Sequence, residues 1–153
     1  WSGAEHLPVE LSLSHRSGLV LAATAPPPAA LGCDTETIAP RNPGFLHDWF
    51  DDEERAQMGV VAPGAESDVG ANALWIAKQA AAKVHRAGPH LDRRAALASL
   101  QRPPGARWAP PTVAWPDTPP AHGWWRRHGG HVLCVMAAQP LDPPQPLTGR
   151  LPV

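Results

Sequence analysis

The chain is expected to fold as an α+β domain, a small antiparallel sheet packed on one long helix, and three features of the sequence predict it. Residues 66 to 87 hold one extended amphipathic pattern. Val69, Ala73, Ile76, Ala80, Val84 and Ala87 recur at spacings of three and four, which lays a core-facing stripe along a helix. On either side stand short apolar runs separated by turn residues, as strands joined by hairpins require. Twelve of the 20 prolines lie after position 100, so the C-terminal third favours strands and loops over further long helices. At 153 residues and 43% hydrophobic composition, one core is expected rather than two.

The elements follow in order. Val9, Leu11 and Leu13 alternate with polar residues, Ser17-Gly18 supplies a turn, and Leu19 to Ala25 is a continuous apolar run, which together predict a hairpin ended by Pro26 to Pro28. Leu31 to Ile38 (LGCDTETI) predicts a strand whose alternation places Asp34 and Glu36 on one face. Pro40 to Gly44 reads as a loop and residues 45 to 59 as two short helical turns. Asp51 or Asp52 caps the second, with Glu53 and Glu54 in its first turn, where the helix dipole favours negative charge. After a loop at Val60 to Gly64, the long helix runs from Glu66 or Ser67 to Ala87 and is stopped by Gly88 and Pro89. A short helical piece is expected around Ala95 to Leu100. Arg107 to Trp115, Gly123 to Arg127 and His131 to Ala138 predict three strands, the last two joined at His128-Gly129-Gly130. The folded domain thus spans 1–138, and 139–153, rich in proline and poor in apolar residues, is expected to be a tail or linker.

Composition narrows the function. Thirteen Lys+Arg against 14 Asp+Glu leave a formal charge of -1, so no global basic field draws the chain to nucleic acid or an anionic membrane. No apolar run reaches the roughly 18 residues that span a bilayer, and no export signal opens the chain, so a soluble cytoplasmic protein is expected. Cys33 and Cys134 lie far apart without a C-x-x-C, which predicts buried thiols in a reducing compartment. Trp124-Trp125-Arg126-Arg127-His128 is a local basic and aromatic cluster, but hairpin alternation more simply puts one tryptophan in the core and the other on the surface. His128-x-x-His131 offers two metal ligands with no third, so both read as turn and strand residues.

Seven of the 14 carboxylates fall between Asp34 and Glu54. Asp34-x-Glu36 on a strand sets two hard oxygen donors side by side, which suits Mg²⁺, an ion that takes one or two carboxylates and completes its shell with water and substrate phosphate. Taken alone, such a pair is more often a solvated strand face. The basic residues sharpen the reading, because 11 are arginine and only Lys78 and Lys83 are lysine. On the long helix Trp75, Gln79 and Lys83 are four apart and stack on one face with Lys78 on its flank. Cations beside paired carboxylates and a divalent ion make a place for a polyphosphate. Ser14-His15 at a strand end offers donors to a phosphate, and no carboxylate is spaced to complete a catalytic triad with them.

In this order the motifs resemble those of the 4′-phosphopantetheinyl transferases of the larger, surfactin-synthetase type. Leu13-Ser14-His15 resembles the family's N-x-S-H strand, Leu31 to Glu36 its G-x-D-x-E strand, Trp49 to Glu54 its F-[ST]-x-x-E segment, and Trp75 to Lys83 its W-x-x-K-E-A-x-x-K helix. Arg41 also falls where the family commonly has an arginine. The resemblance covers about residues 7 to 138. It implies a half-unit of the transferase fold that moves the phosphopantetheine arm of coenzyme A onto a serine of an acyl or peptidyl carrier protein. It further implies Mg²⁺ at Asp34, Glu36 and position 79, phosphate contacts from Lys78 and Lys83, seating of the nucleotide by Ser14 and His15, and Glu54 as a carboxylate behind the metal or facing the substrate. Gln79 departs from the family, whose glutamate there serves as metal ligand and candidate base. An amide offers an oxygen but no charge and no place for a proton, so Glu54 or a water would take that role, with Lys83 and Gln79 beside it. The alternative is a catalytically degenerate domain that binds carrier protein or scaffolds a synthase. Larger family members pair two similar halves around the site. The resemblance therefore implies either a missing N-terminal half or a homotrimer, and an origin within a polyketide synthase suits a chain opening at Trp1.

Overall fold

The computed structural model describes residues 9–61, 66–86, 92–105 and 107–147. Ten elements occur among them: strands β1 (Glu10–Arg16), β2 (Leu19–Ala25) and β3 (Leu31–Thr37), helices α1 (Pro43–Trp49), α2 (Asp52–Val61) and α3 (Ser67–Val84), then strands β4 (Leu97–Leu100), β5 (Pro111–Trp115), β6 (Thr118–His128) and β7 (His131–Ala137). The architecture is α+β. β3, β7, β6, β5 and β4 form a five-stranded sheet in that order, with every neighbouring pair antiparallel, and β1 and β2 form a separate hairpin. The hairpin turns at Ser17 (φ 47°) and Gly18 (φ 82°), the pair of positive φ angles that a tight two-residue turn with the strands' own twist needs.

α3 is buried on nearly every side. Val69, Ala73, Leu74, Ile76, Ala77, Ala80, Ala81 and Val84 are all in the core, joined there by Val113, Trp125, Val132, Cys134 and Met136 from the sheet. The many alanines let the helix sit close to β3. A Cβ added to Gly32 would stand 2.0 Å from the Ala80 carbonyl oxygen and 3.0 Å from Lys83 Cβ. Gly32→Ala is accordingly expected to force β3 away from α3 at a cost of about 1–3 kcal/mol. The measurement is a urea unfolding curve, whose midpoint should fall while its slope stays unchanged.

Several boundaries and one element differ from expectation. The segment Ala95 to Leu100 is not helical: its last four residues form β4, with Leu97 and Ser99 exposed and Ala98 and Leu100 buried. Its alanine-rich composition suits a helix, but that period-two burial and pairing with β5 decide the outcome. α1 begins at Pro43, inside the expected loop, because Asn42 Oδ1 accepts a hydrogen bond from Phe45 N–H at 2.8 Å and proline suits the first helical position. α2 extends to Val61. β6 starts at Thr118 despite Pro119 and Pro120, next to a register irregularity between Val113 and Trp115 that relieves the need for their missing donors. The expected helix stop at Gly88-Pro89 lies outside the described residues.

Trp125 is buried, with its indole N–H donating to the Gln101 carbonyl at 3.0 Å, whereas the half-buried Trp124 donates to the Leu141 carbonyl at 2.8 Å. The second bond ties down part of the expected tail. Residues 141–147 have no regular secondary structure but cover a cavity of about 270 Å³ whose other walls are β2 and the β6–β7 pair. No helix among the described residues is long and apolar enough to cross a membrane.

Both cysteines are free and buried. Burial pushes the Cys33 thiol up and the Cys134 thiol well above the ordinary range. The unfolded chain releases these protons at ordinary thiol pH, whereas the fold retains them, so their stabilising contribution is complete below that pH and is lost as pH rises toward the folded values. Stability is expected to decline as pH rises above about 9, the ordinary thiol range in which the unfolded chain loses these protons first. Denaturant curves across pH 8 to 11 should show the loss, and a Cys33→Ala/Cys134→Ala variant should not.

Candidate functional site

β3 is an edge strand, and its outer side is where the chemistry collects. The Cys33 N–H donates to Ser12 Oγ at 2.9 Å and the Thr35 N–H to Ser14 Oγ at 3.3 Å, while the Cys33 carbonyl accepts from Lys83 Nζ at 2.7 Å. Hydroxyls from β1 and an ammonium from α3 thus satisfy edge groups that a further strand would otherwise pair. Gly32, Asp34 and Glu36 alternate onto the face that looks toward α3.

Asp34 Oδ1 accepts from Ser14 Oγ at 2.8 Å and from Lys83 Nζ at 3.1 Å. Glu36 lies between two guanidiniums, Arg16 Nε at 2.6 Å and Arg41 Nη2 at 3.2 Å. Arg41 is itself aimed from α3: its Nε donates to Asn72 Oδ1 at 2.9 Å, and the fully buried Asn72 donates to the Ala39 and Asp68 carbonyls. Asn72, Gln79 and Lys83 are seven and four residues apart, so they share one face of the helix. The amide oxygen of Gln79 accepts from Arg93 Nε at 3.1 Å. An aromatic group stands alongside, with Trp75 edge-on to both Phe45 and Trp49 and those two tilted to each other, at centroid distances of 5.1 to 6.3 Å. Arg41 stacks over Phe45 and Arg94 over Trp49.

Lys78 lies elsewhere. It is fully buried, and its ammonium donates to Glu54 Oε2 and to the Trp49 carbonyl, both at 2.8 Å. Glu54 is only 2% exposed and is fully engaged: Oε2 also accepts from the Asp51 N–H, and Oε1 from the Ala98 N–H of β4 at 2.7 Å. With Asp51 Oδ1 accepting from the Glu54 N–H at 2.7 Å, the two acids form a reciprocal cap on α2, which settles the cap on Asp51. The phosphate contact expected of Lys78 and the proton-accepting or substrate-side role expected of Glu54 are both corrected by this burial, since neither side chain reaches the surface. Their work is to hold α2, α3 and β4 together.

Two further expectations change. Gln79 reaches the right face, but its oxygen is committed to a guanidinium rather than to a metal ion. Ser14 and His15 do not act side by side: Ser14 turns to Asp34, whereas His15 is exposed on the opposite face of the hairpin, as adjacent strand residues must be. The described residues contain no group of three or more His, Cys, Asp or Glu side chains that could hold a metal ion. Asp34 and Glu36 offer two carboxylates of the kind that Mg²⁺ takes, each already paired with cationic side chains. Arg16, Arg41 and Lys83 are three cationic groups paired with these two carboxylates, so the local charge is positive and favours an anion.

Four contributors escaped the sequence reading: Ser12, Arg16, Asn72 and Arg93. Asn72 left a signal, since a side chain that competes with backbone hydrogen bonds stands in the first half of an alanine-rich helix. Arg93 left none, because it enters from a segment whose course depends on β4. No protein-family model matches this chain, and no curated protein matches it.

Proposed function

We propose that this chain transfers the 4′-phosphopantetheine arm of coenzyme A to a serine of an acyl or peptidyl carrier protein, with Mg²⁺ held by Asp34 and Glu36. One observation carries the reading: Ser14 and Lys83, 69 positions apart in sequence, meet on the carboxylate of Asp34 at 2.8 and 3.1 Å. Three of the motifs on which the family resemblance rests therefore converge on one atom. A Mg²⁺ ion held by Asp34 and Glu36 would supply neutralisation of the pyrophosphate of coenzyme A. Lys83 adds a second positive charge, Arg41 and Arg16 orient Glu36, and Ser14 fixes the rotamer of Asp34. The serine oxygen of the carrier forms a bond to the phosphorus that bears pantetheine, the bond from that phosphorus to the bridging oxygen breaks, and the adenosine bisphosphate leaves. Charge neutralisation and positioning are what such a transfer requires. The serine proton goes to water, because Gln79 carries no basic group and Glu54 is buried.

The outer face of the β1–β2 hairpin exposes Leu11, Leu13 and Val20. Contiguous apolar residues of this kind mark association surfaces. They support the half-unit reading, in which an N-terminal half or further copies of the chain complete the site. A second reading is favoured by Gln79 alone: a transferase-like domain that binds carrier protein without reacting. Incubation with coenzyme A, Mg²⁺ and an apo carrier protein, followed by intact mass of the carrier, separates the two. Transfer of one phosphopantetheine is the expected result. Calorimetric binding of the carrier that needs neither coenzyme A nor Mg²⁺, with no mass gain, would establish the scaffold instead.

A further inference from the structure

The five-stranded sheet has a second face, turned away from α3. Cys134 and Met136 of β7 are in the core with the helix, so Val135 and Ala137 point the other way, and Trp124, paired with Val135, stands beside them. The β1–β2 hairpin lies over the β3 side of this face, where the Ser12 and Leu21 carbonyls accept from Cys33 Sγ. Residues 139–147 cross its other side as a strap. Between hairpin and strap lies the cavity of about 270 Å³, and a second hollow of about 140 Å³ is lined by Pro110, Pro111, Trp124, Pro140 and Leu141.

Seven of the eight residues 139–146 are proline or stand directly before one, and both positions favour extended backbone. Such a sequence is biased toward polyproline II, a helix of three residues per turn. That period puts Leu141, Pro144 and Leu147 on one edge. All three line the cavity, and Pro144 is the one half-buried residue of 141–147. The Trp124 indole N–H donates to the Leu141 carbonyl at 2.8 Å. An aromatic ring beside prolines, with a polar tip that meets a carbonyl, is how grooves read proline-rich segments. The attachment is slight. Past the Ala138 N–H, which donates to the Ala30 carbonyl, the Trp124 bond is the one hydrogen bond among the described residues that ties 139–147 to the rest of the chain. Leu141 and Leu147 stay 40% and 76% exposed, and the strap spans a cavity instead of packing down on the sheet.

We propose that this face is a recognition groove for proline-rich extended segments, that residues 139–147 occupy it in cis, and that a proline-rich segment of a partner protein exchanges with them. The chain's own strap shows the chemistry of the occupant. The sheet floor and the β2 wall of the cavity contribute no Lys, Arg, Asp or Glu, so shape and the indole bond select the segment, and charge does not. A strap tethered at Ala138 reaches the groove at an effective concentration of about a millimolar, so contacts too weak to hold a free peptide suffice to hold it. A partner displaces it by making the same contacts at comparable effective concentration.

The test follows the Trp124 indole N–H by ¹⁵N nuclear magnetic resonance of the whole chain, its signal assigned by its loss in Trp124→Phe. In the unaltered protein it should exchange with solvent at least about a hundredfold faster than the Trp125 indole N–H, whose bond to the Gln101 carbonyl lies in the core. Equal rates would mean that the strap opens only with the whole fold and would overturn the proposal, and that comparison needs no altered strap. Pro140→Gly/Pro144→Gly loosens the strap and leaves the groove as it is. This variant should bind a synthetic peptide of residues 138–147 at least about tenfold more tightly than the unaltered chain does, with saturable shifts of the Trp124 signal. Adding Trp124→Phe, which keeps a ring but removes the donor, should weaken that binding about three- to tenfold. Equal affinity for a peptide with glycine at all four proline positions, or no binding of the parent peptide to the folded, loosened variant, would overturn the proposal.

Discussion

Lys78→Ala is expected to destabilise the fold by about 3–5 kcal/mol, the range for removing one partner of a buried ion pair. The reason is what remains. Glu54 would stay enclosed among α2, α3 and β4 with its counter-charge gone, and the Trp49 carbonyl would lose its donor. Domains of this size are stable by only about 5–15 kcal/mol, so the loss should be visible as partial unfolding at ambient temperature. The seven tryptophans supply a fluorescence signal for urea titration. Removing both charges by Lys78→Met/Glu54→Leu is expected to be less harmful than Lys78→Ala alone, because no unpaired charge is then buried, although the Asp51 and Ala98 N–H groups lose their acceptor. A Lys78→Ala cost below about 1 kcal/mol would contradict the buried pair.

The scarcity of lysine pointed to both members of that set but could not say which served the fold. In a chain that uses arginine almost throughout, Lys78 and Lys83 stand out equally on one helix. What separates them is 100° of helical rotation per residue and the position of α2, which is a tertiary fact. Five positions along, Lys83 emerges on the β3 side and Lys78 faces inward to a carboxylate. The hairpin and the face shared by Asp34 and Glu36 were legible because alternation is local. β4 was not, since four residues of alanine, serine and leucine fit helix or strand until a partner strand is known. The role of Glu54 was hidden for a related reason. Its position in the first turn of a short helix is local and legible, yet two of its partners come from α3 and β4, 24 and 44 residues away.

On the proposed transferase reading, Asp34→Asn is expected to reduce phosphopantetheine transfer by about 10³-fold or more, and Lys83→Met by about 10²–10³-fold, the cost of deleting one preorganised charge from such a site. The two should differ in what else they disturb. Asp34 accepts from Ser14 and Lys83 through a single oxygen, so an asparagine whose oxygen occupies that place keeps both bonds while removing the charge that a metal requires. Its fold should therefore be nearly as stable as the original, within about 1 kcal/mol. Lys83 also caps the Cys33 carbonyl at the edge of the sheet, so Lys83→Met is expected to cost about 1 kcal/mol of stability besides its activity. Urea midpoints measured beside kcat and KM separate the two contributions. Lys83→Arg sharpens the comparison, because it restores positive charge and can cap the carbonyl but presents a planar fork where a compact ammonium now touches three oxygens. Recovery of stability without full recovery of transfer would assign Lys83 to the phosphate. Recovery of neither would mean that its place at the sheet edge is what the chain selects for.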